Sequence, residues 1–188
     1  MATTEDAGGG TWLVLVYKLP AKPGGLRTLV RRKLTATGAV YLSRACVVAP
    51  AGSSAPAERA MRQVRAAIAG AGGTAVLLRA GAIGGEEQII AALEAARDRE
   101  YDEIIAGCRD GLGSIETLIE ARDFRYEQLW EIDPQLKRLD ARYRTTSARG
   151  TAGAAGAGKA REASLALAKY RSALDEYASS VYATDSAS

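Results

Sequence analysis

The sequence contains no histidine. That removes Ser-His-Asp and Cys-His catalysis, and with them the commonest zinc ligand. There are two cysteines, Cys46 and Cys108. Two cannot complete a four-ligand zinc site, and with no sign of export the expectation is two reduced thiols rather than one disulfide. No metal site, cofactor or enzyme activity is expected. Long hydrophobic runs are also missing. The longest stretch of bulky apolar side chains is residues 12–17, whereas a membrane-spanning helix needs about 20, so no membrane partner is expected. Residues 1–10 are polar and acidic and lack the basic and apolar stretches of a signal peptide. They read as a disordered leader. Aromatic residues make up 6% of the chain, and alanine fills much of the apolar share. Because alanine is the strongest helix former, a helix-rich fold follows.

Acidic residues are missing from one region. Between Trp12 and Pro50 there is none, while Lys18, Lys22, Arg27, Arg31, Arg32, Lys33 and Arg44 all fall there. The net charge of +3 hides this. Residues 1–83 hold eleven Lys/Arg against three acids, and residues 84–188 hold fourteen against nineteen. A one-signed field of this kind attracts polyanions or small oxyanions.

The hydrophobic pattern divides the chain in two. Residues 12–18 read as a central strand, apolar on both faces. A Pro/Gly cluster over 19–25 follows, and then an amphipathic helix carrying Leu26, Leu29, Val30 and Leu34 on one stripe, with Gly38 as its C-terminal cap. Residues 39–42 and 46–49 read as short strands. Pro56 opens a second helix with Met61, Val64, Ala67 and Ile68 on its buried stripe, and residues 74–79 form a last strand. The order βαββαβ over residues 11–83 is that of a ferredoxin-like α+β domain, its second sheet face left for a partner or for the later helices.

From residue 84 an all-helical segment of about three helices is expected. Residues 86–122 read as one helix, bent at Gly111 and Gly113, with Tyr101, Ile104, Cys108, Leu112, Ile115 and Ile119 on its stripe. Leu129, Ile132, Leu136, Leu139 and Tyr143 form a second stripe, with a helix restart at Asp133-Pro134. Residues 150–158 read as a mobile Gly/Ala-rich loop. Ala160, Ala163, Leu167, Tyr170, Leu174, Tyr177 and Val181 make the last stripe. These seams suit an intramolecular bundle or a homodimeric coiled coil.

Catalytic constellations fail on inspection. Residues 8–11 and 150–159 do not match a phosphate-binding P-loop, since Lys159 is followed by Ala160. A metal-dependent nuclease on this fold needs a carboxylate near the end of the first strand, where Tyr17, Lys18 and Leu19 stand. The pairs Glu86/Glu87 and Asp102/Glu103 read as solvated helix faces. Cys108, on an apolar stripe, reads as a small buried hydrophobe. The informative feature is the basic first helix with Lys18 and Lys22 before it and Arg44 beyond. It is either a solvated face or a contact for phosphates or an oxyanion, which guanidinium groups bind bidentately.

Three stretches carry a resemblance. They are Trp12-Leu13-Val14-Leu15-Val16-Tyr17-Lys18-Leu19-Pro20-Ala21-Lys22-Pro23 running on through Leu26-Arg27 and Val30-Arg31-Arg32-Lys33-Leu34, then Glu100-Tyr101-Asp102-Glu103-Ile104-Ile105 to Cys108-Arg109-Asp110, and Phe124-Arg125-Tyr126-Glu127-Gln128-Leu129. Together these resemble the N-terminal domain of the ChrB family of chromate-resistance proteins. The resemblance implies a cytoplasmic transcriptional regulator that acts at promoter DNA and responds to chromate or another oxyanion, and kinship with the ferredoxin-like module of PaaX-type repressors. The charge pattern, read beside it, sets the expected contact on the basic residues named above. The alternative is an oxyanion sensor or adaptor that does not bind DNA.

Overall fold

The computed structural model describes residues 10–20, 25–51, 55–149 and 154–185. The expected leader therefore lies, apart from Gly10, outside the described residues, and so does Lys22. The elements run β1 (Thr11–Lys18), α1 (Gly25–Ala36), β2 (Val40–Ser43), β3 (Cys46–Pro50), α2 (Ala55–Gly70), β4 (Thr74–Gly81), α3 (Glu86–Glu120), α4 (Tyr126–Ser147) and α5 (Ala154–Asp185). The protein is mixed α+β, with one four-stranded antiparallel sheet and five helices among the described residues. It divides into two compact units, Met1–Ala96 and Arg97–Ser188, and the division falls inside α3.

In the first unit the sheet order is β2-β3-β1-β4. β1 is central, pairing from Trp12↔Pro50 to Val16↔Cys46 on one side and from Thr11↔Gly81 to Lys18↔Thr74 on the other. Most of its apolar run follows from that position, because both faces are covered there, Val16 alone of the run being exposed. Alternation sends Leu13, Leu15 and Tyr17 into a core with Val30 and Leu34 of α1 and Met61, Val64 and Ile68 of α2. Trp12 and Val14 face the other way, into a second core with Val40, Val48 and Leu93. Residues 86–96 of α3 thus cover part of the second sheet face, and the compact unit extends beyond the change in periodicity at residues 83/84. Glu86 ties this segment down. Its Oε1 accepts hydrogen bonds from the Gly10 backbone N–H at 2.6 Å and from Trp12 Nε1 at 3.0 Å. Gly38 follows α1 at φ 75°, a left-handed turn that costs glycine nothing.

In the second unit the stripes of α3, α4 and α5 meet in one core built from Tyr101, Ile104, Cys108, Ile115, Ile132, Leu136, Ala163, Leu167, Tyr170, Leu174, Tyr177 and Val181. The seams bury one another within the chain. Four expectations change here. α3 runs unbroken through Gly111 and Gly113, so these glycines do not bend it out of helix. Ile119, placed on the stripe, is 44% exposed, and its neighbour Leu118 packs on the core instead. α4 does not restart at Asp133-Pro134; it begins at Tyr126 and carries Pro134 inside. α5 begins at Ala154, so the expected loop over 150–158 is helical from there onward, alanine's propensity outweighing two glycines.

Candidate functional site: a basic helix beside the sheet

Every α1 cation is exposed, but the cations do not share one face. At about 100° per residue, Arg27 and Arg31 lie on one flank of the buried Val30/Leu34 stripe. Arg32 points roughly away from it, and Lys33 falls on the opposite flank. The contacts agree. Lys33 Nζ reaches Gln63 Oε1 of α2 at 3.5 Å, whereas Arg27 sits near Tyr17, whose hydroxyl is hydrogen-bonded to Tyr41. Lys18, exposed, falls in the register of Trp12, Val14 and Val16, so it leaves the sheet on the side away from Tyr17 and α1. Arg44 lies in the β2–β3 turn, which the Tyr17 N–H holds beside the end of β1 by a 2.9 Å bond to the Ala45 carbonyl. Arg27 and Arg31 are thus grouped on one flank, while Lys18 and Lys33 diverge from it.

The electrostatics separate this region from the rest of the chain. The single acid between residues 7 and 85 is Glu58. It is taken by Arg62 at 2.6 Å and Arg79 at 2.8 Å. The Arg62 hydrogen bond, helped by the charges of Arg62 and Arg79, holds its carboxyl below the usual value. In the second unit half of the bases meet acids, among them Arg125 with Asp123, Lys137 with Asp133, Arg142 with Glu103, Arg149 with Glu100, and Arg171 with Asp140. No ion pair among the described residues involves Lys18, Arg27, Arg31, Arg32, Lys33 or Arg44. A cation without a counter-charge keeps its field for a ligand.

Sequence reasoning missed the tyrosines. Burial pushes the Tyr17 hydroxyl well above its ordinary value, the bond to Tyr41 pushes the same way, and Arg27 opposes both. A proton is therefore held where Arg27 and the half-exposed Tyr41 present further donors. The readable signal was Tyr17 standing among β1 aliphatics, since a buried phenol needs a partner. Cys46 and Cys108 are both free, and Cys108 is fully buried. Among the described residues no group of three or more His, Cys, Asp or Glu is placed to hold a metal ion, and no helix is long and apolar enough to cross a membrane.

The geometry defines an α+β protein with an unneutralised basic helix packed on its sheet. The family model described as "Protein ChrB, N-terminal" matches residues 27–188, and the chain belongs to that family. Membership links it to chromate resistance. The matched region starts at Arg27, the third residue of α1, and includes all later elements, while β1, Lys18 and Lys22 precede it. No curated protein and no solved structure matches the chain.

Proposed function

We propose that this protein is a cytoplasmic, non-catalytic transcriptional regulator linked to chromate resistance, whose first unit contacts promoter DNA phosphates through α1. The βαββαβ order and the β2-β3-β1-β4 sheet support a ferredoxin-like module of the kind found in PaaX-type repressors. One observation carries the reading: the α1, β1 and β2–β3 cations have no acidic partner among the described residues, while seven of the fourteen Lys and Arg residues of the second unit are paired with acids. Phosphate contacts by Lys and Arg release counterions, so affinity falls steeply with salt. The test is titration of the protein against its own upstream DNA at two salt concentrations, with Arg31→Ala plus Arg32→Ala beside the parent. Steep salt dependence, flattened in the variant, is expected. Tight binding indifferent to both salt and substitution sinks the proposal.

A second reading rests on the Arg27–Tyr17–Tyr41 grouping. A guanidinium near a phenol that is itself bonded to a second hydroxyl offers donors to a tetrahedral dianion such as chromate. In this reading the protein is an oxyanion sensor or adaptor that does not touch DNA. A rise in melting temperature with chromate or sulfate, abolished by Arg27→Ala and accompanied by no DNA binding, selects this reading over the first.

A further inference from the structure

α4 carries a tryptophan where its own packing asks for none. Trp130 is 76% exposed and stands off the stripe that buries Ile132 and Leu136. Beside it, Tyr126 and Tyr182 are also exposed. Their rings meet edge to face with centroids 5.5 Å apart, and the Tyr126 hydroxyl donates to that of Tyr182 at 3.0 Å. With Leu129, Pro134 and Ala178 these aromatics line a groove of about 420 Å³ on α4 and α5, within the second unit. Exposed aromatic surface gathered in a concavity is typical of binding sites.

Two further features describe the occupant. Pro134 has no backbone N–H, so the Trp130 carbonyl lacks its helical donor, and both residues line the groove. The rim is acidic: Asp133 and Asp175 line the groove, and Glu127 and Glu131 line an adjoining recess shared with Trp130. The cations nearby are fewer. Lys137 is paired with Asp133 at 2.5 Å, and Arg125 is held by Asp123 while facing Glu127.

We propose that this groove docks a basic peptide segment of a partner protein, with an arginine or lysine side chain lying on the Trp130 ring. Cations stack on tryptophan in preference to other aromatics, and the carboxylates of Glu127, Glu131 and Asp175 answer the segment's charge. The same carboxylates repel nucleic acid. A second copy fits less well, because a two-fold contact through this patch brings like charges together. Three aromatic side chains also fall short of the roughly 1,600 Å² that stable protein pairs bury.

The experiment uses the full chain and a synthetic peptide of about a dozen residues with arginine and leucine at helical spacing, beside a version with glutamate for arginine. Acrylamide quenching of tryptophan fluorescence reads Trp130, because Trp12 is 6% exposed. The arginine peptide is expected to shield Trp130 saturably and the glutamate peptide to leave it quenchable. By calorimetry, Trp130→Ala should weaken binding about tenfold or more. Glu127→Gln with Glu131→Gln should weaken it several-fold, and Glu116→Gln with Glu120→Gln, on α3 and outside the groove, should leave it unchanged. Equal shielding by the glutamate peptide overturns the proposal, as do variants that bind like the parent or a control pair that loses as much. So does sedimentation showing a peptide-free dimer in which Trp130 is already shielded, since the occupant is then a second copy.

Discussion

Gly111 of α3 lies against the ring of Tyr170 of α5, so that a methyl group at position 111 would come within 2.2 Å of the tyrosine Cζ. The Tyr170 hydroxyl is buried without a hydrogen-bond partner. The glycine thus exists for close approach between helices. Gly107 offers a comparison, since a methyl there meets Leu139 Cδ2 at 2.8 Å, the tip of a side chain that can swing aside. Gly111→Ala is expected to cost about 3 kcal/mol or more, beyond what alanine returns in helix propensity. Gly107→Ala should be near neutral. Tyr170→Phe should leave stability unchanged or raise it by about 1 kcal/mol, because it removes a polar group with no partner. Urea unfolding of the three variants checks this, and equal costs at 107 and 111 would refute the packing account.

α3 ends at a non-glycine residue in the left-handed region. Arg122 has φ 53°. The Asp123 N–H bonds the Leu118 carbonyl at 2.9 Å and the Arg122 N–H bonds that of Ile119 at 3.0 Å, the paired bonds of a Schellman ending in which glycine normally occupies the position of Arg122. Arg122→Gly should therefore stabilise the protein by about 1 kcal/mol, and Arg122→Val should destabilise it, since β-branching tolerates this backbone least. Thermal midpoints that move in the opposite order would show that the arginine side chain contributes more than its backbone costs.

How far the sequence could be read depended on whether a signal was local. β1 was legible because a strand covered on both faces has to be apolar throughout, and Gly38 was legible because a left-handed cap needs glycine. The stripe of α5 appears in the core nearly residue for residue. Pro134 misled. Asp-Pro is a good local helix start, yet Leu129 and Ile132 before it and Leu136 after it pack against one core, and that continuity outweighs the roughly 3 kcal/mol a mid-helix proline costs. Gly111 misled in the same way, because Tyr170 lies 59 positions away in the chain. In the basic site the residue types were legible but their neighbours were not. Whether Arg27 or Lys33 faces α2 depends on which side of α1 the sheet lies.

Alkaline pH should loosen the fold. Burial pushes Tyr17, Cys108, Tyr170 and Tyr177 above their ordinary values, the Tyr17 bond to Tyr41 adding to it. The folded state keeps these protons where the unfolded chain releases them, at about 8.5 for cysteine and about 10 for tyrosine. Their contribution is complete below those values and is lost as pH rises towards the folded ones. The urea midpoint should hold near neutral pH and fall above about pH 9. Tyr170→Phe and Cys108→Ala should each make the fall shallower. A midpoint that stays level up to about pH 11 contradicts this assignment.

The splayed cations of α1 yield the sharpest test of the DNA reading. Arg27 and Arg31 share one flank of α1, with Arg27 near Tyr17, while Lys33 reaches Gln63 of α2. A duplex lying along α1 cannot be approached equally by both flanks, because the α2 side is already occupied by protein. Arg27→Ala with Arg31→Ala should lower affinity about tenfold or more and reduce the slope of log affinity against log salt by roughly two, one per lost phosphate contact. Lys33→Ala should reduce that slope by less than one, its ammonium lying on the α2 side, at Gln63. Fluorescence anisotropy over a salt series measures both. If Lys33→Ala flattens the slope as much as the arginine pair does, the contact face is not the Arg27–Arg31 flank, and α1 acts through diffuse charge alone.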